Sequence, residues 1–203
     1  MAMLLPLFPL DVVLLPTAPL PLHIFEPRYQ EMIAECLDAK QAFGVLRAKE
    51  DGIAEIGCTA EIITVAKKYP DGRMDIITQG RKPFEVIQIN QERAFLQGEV
   101  IYLHDEPGAG TAEQRQQALK LHEDVMALAG AQLADSSEIE EQQLSFYLAG
   151  SLPLDLDFKQ KLLAMKSEPE RLATVISFLE AVLPSMRRTV HVRRKAGGNG
   201  HAG

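Results

Sequence analysis

The opening of the chain, Leu5-Pro6-Leu7-Phe8-Pro9-Leu10-Asp11-Val12-Val13-Leu14-Leu15-Pro16, restricts its fold more than any other stretch. Six of the twelve prolines fall within the first 27 residues, interleaved with Leu, Val and Phe. Proline fixes φ, removes an N–H donor and pushes the preceding residue towards extended geometry. The segment must therefore run extended. It is expected to pair only where the missing donors do not matter, at a sheet edge or beside a bulge. Its side chains are nevertheless apolar enough to be buried.

Up to about residue 105 the pattern is one of short β-type runs, at 42–48, 54–66, 74–78, 84–90 and 94–103. Glu50-Asp51-Gly52, Tyr69-Pro70-Asp71-Gly72-Arg73 and Gln79-Gly80-Arg81 separate them as turns. Pro-Asp-Gly between two β-branched runs predicts a hairpin, because Pro presets one φ and Gly accepts a positive one. Several short strands at this spacing point to a small barrel or a sandwich. One helix interrupts them over 26–39, where Tyr29, Met32, Ile33, Cys36 and Leu37 recur at helical spacing.

After the linker Pro107-Gly108-Ala109-Gly110 the period becomes helical. Leu119 to Leu128 mark a first helix ended by Gly130, and Ser137 with Glu140 forms a capping box before a second. Asp155 caps a third, and Ser167-Glu168-Pro169-Glu170 opens a fourth that carries Leu172, Val175, Ile176, Leu179, Val182 and Leu183. The organisation expected is a β subdomain over 1–105, a helical subdomain over 111–188 and a basic, flexible tail over 189–203. Residues 196–203 have nothing to bury and are expected to be disordered.

The net charge of −7 argues against general adhesion to DNA or anionic lipid. No uncharged apolar run reaches the length of a bilayer span, and the opening has no basic segment of the kind that starts a signal peptide. Two isolated cysteines, Cys36 and Cys58, fit a reducing compartment, so a cytoplasmic protein without membrane contact is expected.

The opening continues into Pro21-Leu22-His23-Ile24-Phe25-Glu26-Pro27-Arg28-Tyr29. Together with Phe43-Gly44-Val45-Leu46, Ile56-Gly57-Cys58-Thr59-Ala60-Glu61-Ile62, Asp71-Gly72-Arg73, Gly80-Arg81-Lys82-Pro83-Phe84, Ser151-Leu152-Pro153-Leu154-Asp155, residues 159–165 and Pro169-Glu170-Arg171-Leu172, it resembles the Lon protease N-terminal, substrate-binding domain family. The resemblance spans about residues 4–185. It implies an α+β fold: a PUA-like small β-barrel with one inserted helix, followed by a C-terminal four-helix bundle-like region. One departure is Lys82-Pro83, where many relatives have Arg followed by an aromatic, and this pair is expected to break the strand start. The other is that no Gly-x-x-x-x-Gly-Lys-Ser/Thr phosphate loop is present, so neither ATP hydrolysis nor proteolysis carries over and a stand-alone relative is expected.

Within the signature, His23, Phe25, Glu26, Arg28, Tyr29 and Met32 are the candidates for gripping a peptide or partner protein. The structural alternative has Glu26 and Arg28 pinning the first helix, His23 filling a polar slot, and Phe25, Tyr29 and Met32 in the core. The five histidines have no ligand spacing, so no metal site is expected. Ser145, Ser151 and Ser185 lie in helix or cap contexts without a nucleophile elbow, so no catalytic residue and no cofactor are assigned. Residues 187–195 hold Arg187, Arg188, Arg193, Arg194 and Lys195 without an acid. By analogy with RNA-binding PUA-like barrels, this tail offers an alternative as a nucleic-acid contact, although no aromatic residues interleave with the arginines to stack on bases. The leading expectation is a non-catalytic module that binds protein or unfolded polypeptide segments, as an adaptor or in quality control. Oligomeric state is not legible.

Overall fold

The computed structural model describes residues 4–131 and 139–198, with side chains as far as residue 189. Seven strands and five helices give the expected α+β fold. The strands are β1 Leu5–Leu10, β2 Pro19–Ile24, β3 Phe43–Lys49, β4 Gly52–Ile53, β5 Ile56–Lys68, β6 Met74–Asn90 and β7 Leu96–Tyr102. The helices are α1 Pro27–Ala39, α2 Ala112–Ala129, α3 Leu144–Gly150, α4 Leu156–Ala164 and α5 Glu168–Gly198.

The strands pair in the order β1-β7-β6-β5-β3-β4. β1 also pairs with β3, in parallel, so five strands form a ring. The ring is not a clean barrel. The first half of β6 runs beyond it and pairs with β2 on one side and β5 on the other, as a three-stranded ribbon. Leu5, Leu7, Leu46 and Phe84 form the centre of a core inside the ring, with Val86, Ile89, Leu96 and Val100 packed against it.

β2, with Pro19 and Pro21, pairs with β6 alone and behaves as the sequence predicts for a proline strand. β1 departs from that expectation, because it has neighbours on both sides. The register shows how the prolines are accommodated. β7 pairs with residues 5–7 of β1 and β3 with residues 7–10. Pro6 lies before the β3 pairing begins and Pro9 after the β7 pairing ends, so each has an open side for the donor it lacks.

β6 is a second correction. The predicted turn at Gln79-Gly80-Arg81 is continuous strand. Gly80 is there because another backbone crosses it: a Cβ at this position would meet the Leu15 carbonyl oxygen at 2.1 Å. Gly80 N–H donates to Ala18 O at 2.9 Å, and Thr17 N–H donates to Gly80 O at 2.9 Å. Nor does Lys82-Pro83 break the strand. Pro83 lies opposite Cys58 beside a bulge in β6, where Arg81 and Lys82 together oppose Thr59, and Lys82 N–H donates to the Thr59 hydroxyl at 3.0 Å. The Thr59 side chain supplies the acceptor where the bulge breaks regular pairing.

The chain divides into two units, one comprising residues up to Glu106 with Ala149–Lys166, the other Pro107–Leu148 with Ser167 onward. Residues 149–166 thus group with the sheet although they lie in the helical half of the sequence. Asp155 caps α4 as predicted, accepting from Phe158 N–H at 2.8 Å. Arg47 donates to Asp157 at 2.5 Å, and the Gln160 amide donates to Ile56 O at 2.9 Å, which ties α4 to the strands.

In the helical unit, Thr111 caps α2 and Gly130 closes it in the left-handed conformation, and α2 packs on α5. Ser137 of the predicted capping box lies outside the described residues, and Glu140 makes no capping hydrogen bond. Glu168 is turned inward rather than capping its own helix. It and Arg171 are fully buried, joined at 2.7 Å, and Glu168 also accepts from Ser145 N–H (2.8 Å) and hydroxyl (2.5 Å). The Arg171 guanidinium lies 4.1 Å from the Phe146 ring centroid. The α5 backbone continues through Pro184 to Gly198, past the point where the sequence suggests fraying.

His122, buried on α2, gives this unit a pH dependence. Burial holds its imidazole below the usual 6.5. The unfolded chain therefore takes up the proton first as pH falls. The His122 contribution is complete above 6.5 and is lost on acidification below it. We expect the Tm to fall between pH 7 and 5, and His122→Gln to flatten that dependence in thermal scans across pH. An unchanged slope would remove His122 as its source.

Candidate functional site

The first helix begins without a side-chain cap. Glu26 occupies the N-cap position, Pro27 follows in the first turn, and the Glu26 carboxylate accepts instead from Arg28 Nε at 2.9 Å. A hydrophobic residue just before the cap ordinarily packs on the fourth helical residue. Here Phe25 precedes the cap and the fourth residue is Gln30, whose amide donates to Phe25 O at 3.0 Å. The staple position thus offers the Phe25 ring no apolar side chain, and the residue remains 60% exposed.

The β5–β6 hairpin comes to the same place. Its turn forms as Pro-Asp-Gly predicts, with Gly72 N–H donating to Tyr69 O at 3.1 Å and Gly72 at φ +88°. In the β2–β6 register His23 lies directly opposite Asp75. His23 Nδ1 meets the Asp75 carboxylate at 2.5 Å, and the Tyr69 hydroxyl donates to its other oxygen at 2.8 Å. The bonds from His23 first and Tyr69 second hold the Asp75 carboxyl below the usual carboxylate range. The His23 ring is near-parallel to Phe25 at 6.0 Å and edge-on to Tyr69 at 5.9 Å. Lys67 and Arg73 lie 4.5 and 5.1 Å from the Tyr69 ring centroid. The result is a strip of three aromatic rings braced by Asp75 and bordered by cations. It can offer stacking and apolar contact to a ligand.

Of the residues selected from sequence, His23 and Phe25 form this strip, while Glu26 and Arg28 pair with each other at the start of α1, where the Arg28 guanidinium lies 4.6 Å from the Tyr29 ring centroid. Neither Tyr29 nor Met32 is part of the strip. Tyr29 is 8% exposed and stacks on Phe8 at 4.0 Å, and Met32 has no exposed surface, so both belong to the core. Their helical positions turn them inward beside Ile33 and Cys36. Tyr69, Asp75, Lys67 and Arg73 were missed. The Pro-Asp-Gly turn locates them in sequence, but only the β2–β6 register sets them beside His23. In the basic tail, Arg187 pairs with Asp124 at 2.9 Å and Arg188 is exposed, while the side chains of Arg193, Arg194 and Lys195 lie outside the described residues.

Cys36 and Cys58 are buried, and desolvation pushes their thiols up to about 11 and 12, so neither is a thiolate at neutral pH. Among the described residues no three His, Cys, Asp or Glu side chains converge to hold a metal ion. No helix among them is long and apolar enough to cross a membrane.

The fold gives the class of protein. It superposes on the Lon N-terminal domain protein of Xanthomonas campestris with a TM-score of 0.70 at 25% identity, over 86% of this chain and 98% of that one. It also matches the N-terminal domain of a Mycobacterium avium complex Lon protease, at TM-score 0.63 and 18% identity, over 88% and 98%. The chain belongs to the family of ATP-dependent protease La (LON) substrate-binding domains, which matches residues 4–181. Among full proteases, that of Parabacteroides distasonis is 32% identical over 110 residues, half of this chain. That of Cytophaga hutchinsonii is 22% identical over 210 residues, 93% of this chain. The aligned regions cover 13% and 26% of those two proteases.

Proposed function

We propose that the protein is a non-catalytic, cytoplasmic module that binds exposed apolar segments of unfolded polypeptide and acts as an adaptor in protein quality control. Phe25 carries this reading. A large aromatic side chain at a position that normally packs on its helix is instead held at the surface, stacked beside His23 and near Tyr69. Aromatic groups of this kind supply large contact area with few torsions to immobilise. Membership of a substrate-binding family supports the same reading.

The test is fluorescence anisotropy with labelled, reduced and carboxymethylated α-lactalbumin, a permanently unfolded probe. Phe25→Ala is expected to weaken binding about five- to tenfold, the loss of one interface anchor. It should change stability by no more than about 0.5 kcal/mol, because the ring is exposed. Unchanged affinity in Phe25→Ala would remove this surface as the binding site.

A further inference from the structure

Strand β5 is longer than the sheet around it. β6 pairs with it from Ile56 to Lys68, but β3 pairs only with Cys58, Thr59 and Ala60. From residue 61 to 68 its other edge has no strand against it among the described residues. Such an edge presents a row of unpaired N–H and C=O groups. The opposite edge of the ribbon, β2, is blunted by Pro19 and Pro21; residues 61–68 contain no proline, and two bulges, at Ile63 and Ala66, interrupt their pairing with β6. Ile63 on the open edge is 50% exposed. At the Glu61 end lies a cleft of about 440 Å³, lined by Lys40, Gln41, Arg81, Lys82 and Tyr102 among others. Glu61 is neutralised there by Arg81 at 2.5 Å. Lys40, Lys68 and Lys82 have no ion pair among the described residues. Lys40 moreover holds φ +50° at the end of α1, a conformation in which a glycine is the usual occupant.

We propose that an extended polypeptide segment of alternating apolar and acidic residues adds to the 61–68 edge of β5 as a further strand. The proposal rests on the polypeptide-binding reading above and states the form in which the bound chain is held. Another backbone matches a row of main-chain donors and acceptors, the basis of strand addition at a sheet edge. Ile62, Ile63 and Val65 suit apolar side chains, and the three unpaired lysines suit acidic ones. A second copy of this chain would bring the same lysines to the interface.

The probe is a fluorescein-labelled decapeptide of alternating valine and glutamate. An added strand turns alternate N–H groups towards β5 and the others to solvent. Backbone N-methylation of one alternating set should therefore weaken binding about tenfold or more, the loss of several hydrogen bonds, and methylation of the other set should leave it unchanged. Lys68→Glu and Lys82→Glu should each weaken it about threefold, as for partly exposed ion pairs. A lysine-for-glutamate peptide should not bind. Equal effects of the two methylation patterns, with unfolded α-lactalbumin still bound, would overturn edge pairing and leave polypeptide binding standing. Loss of both probes would overturn both. Concentration-dependent dimerisation in sedimentation, with no peptide bound, would assign the edge to a second copy instead.

Discussion

Glu168→Ala is expected to destabilise the helical unit by about 3–5 kcal/mol, because it removes a fully buried carboxylate that is paired with Arg171 and accepts from both the Ser145 N–H and hydroxyl. That is a large share of the roughly 5–15 kcal/mol of a whole domain. The Arg171 guanidinium would keep its bonds to the Ser145 hydroxyl and Gln142 O, both at 3.0 Å, and its contact with the Phe146 ring. Ser145 N–H would also lose its acceptor. Breaking a buried pair and replacing it differ in cost, since an apolar pair of similar volume avoids the desolvation of both ions. The double variant Glu168→Met/Arg171→Met removes both buried charges but leaves the Ser145 and Gln142 groups unpaired, so it should recover only part of the loss. Urea unfolding followed by circular dichroism reads both variants. A Glu168→Ala variant within about 1 kcal/mol of the parent would show that Arg171 finds another partner or water.

Gly80→Val is the second large effect. The new Cβ would lie 2.1 Å from the Leu15 carbonyl oxygen and 2.9 Å from its carbon, and both belong to backbone. Residues 15–18 cannot retreat easily. They are tied to Gly80 by two main-chain hydrogen bonds, and the Leu15 side chain is buried in the core. Overpacking against backbone costs at the upper end of the range for core substitutions, about 3 kcal/mol or more. Gly130→Ala is the control. Nothing lies within 4 Å of that site, so only its left-handed backbone is strained, at about 1–2 kcal/mol. If Gly80→Val melts no lower than Gly130→Ala, the crossing of Leu15 over β6 is wrong.

Local signals in the sequence located most elements, and pairing determined what they did not. The Pro-Asp-Gly hairpin, the Asp155 cap and the Gly130 stop each act within a few residues, and each formed as read. Gly80 and Lys82-Pro83 were misread because the cause lies elsewhere in the chain. One answers a backbone approaching from Leu15, the other a bulge whose free N–H is taken up by Thr59 of β5. The burial of Glu168 was hidden for the same reason. A Glu followed three residues later by an Arg at a helix start ordinarily faces solvent, and only the placement of Ser145 turns it inward. The candidate site was legible in half. Phe25 and Gln30 in the staple positions carry a usable local signal for an exposed ring, while Tyr69 and Asp75 join His23 only through strand register.

The central claim is that this chain binds unfolded polypeptide through an apolar and aromatic surface. The most direct measurement is equilibrium binding of labelled carboxymethylated α-lactalbumin and of a labelled single-stranded RNA, each across a salt series. The account predicts saturable polypeptide binding that changes little with salt and is weakened by Phe25→Ala, with no comparable RNA binding. Absent polypeptide binding, with RNA bound at an affinity that falls steeply with salt, would contradict it.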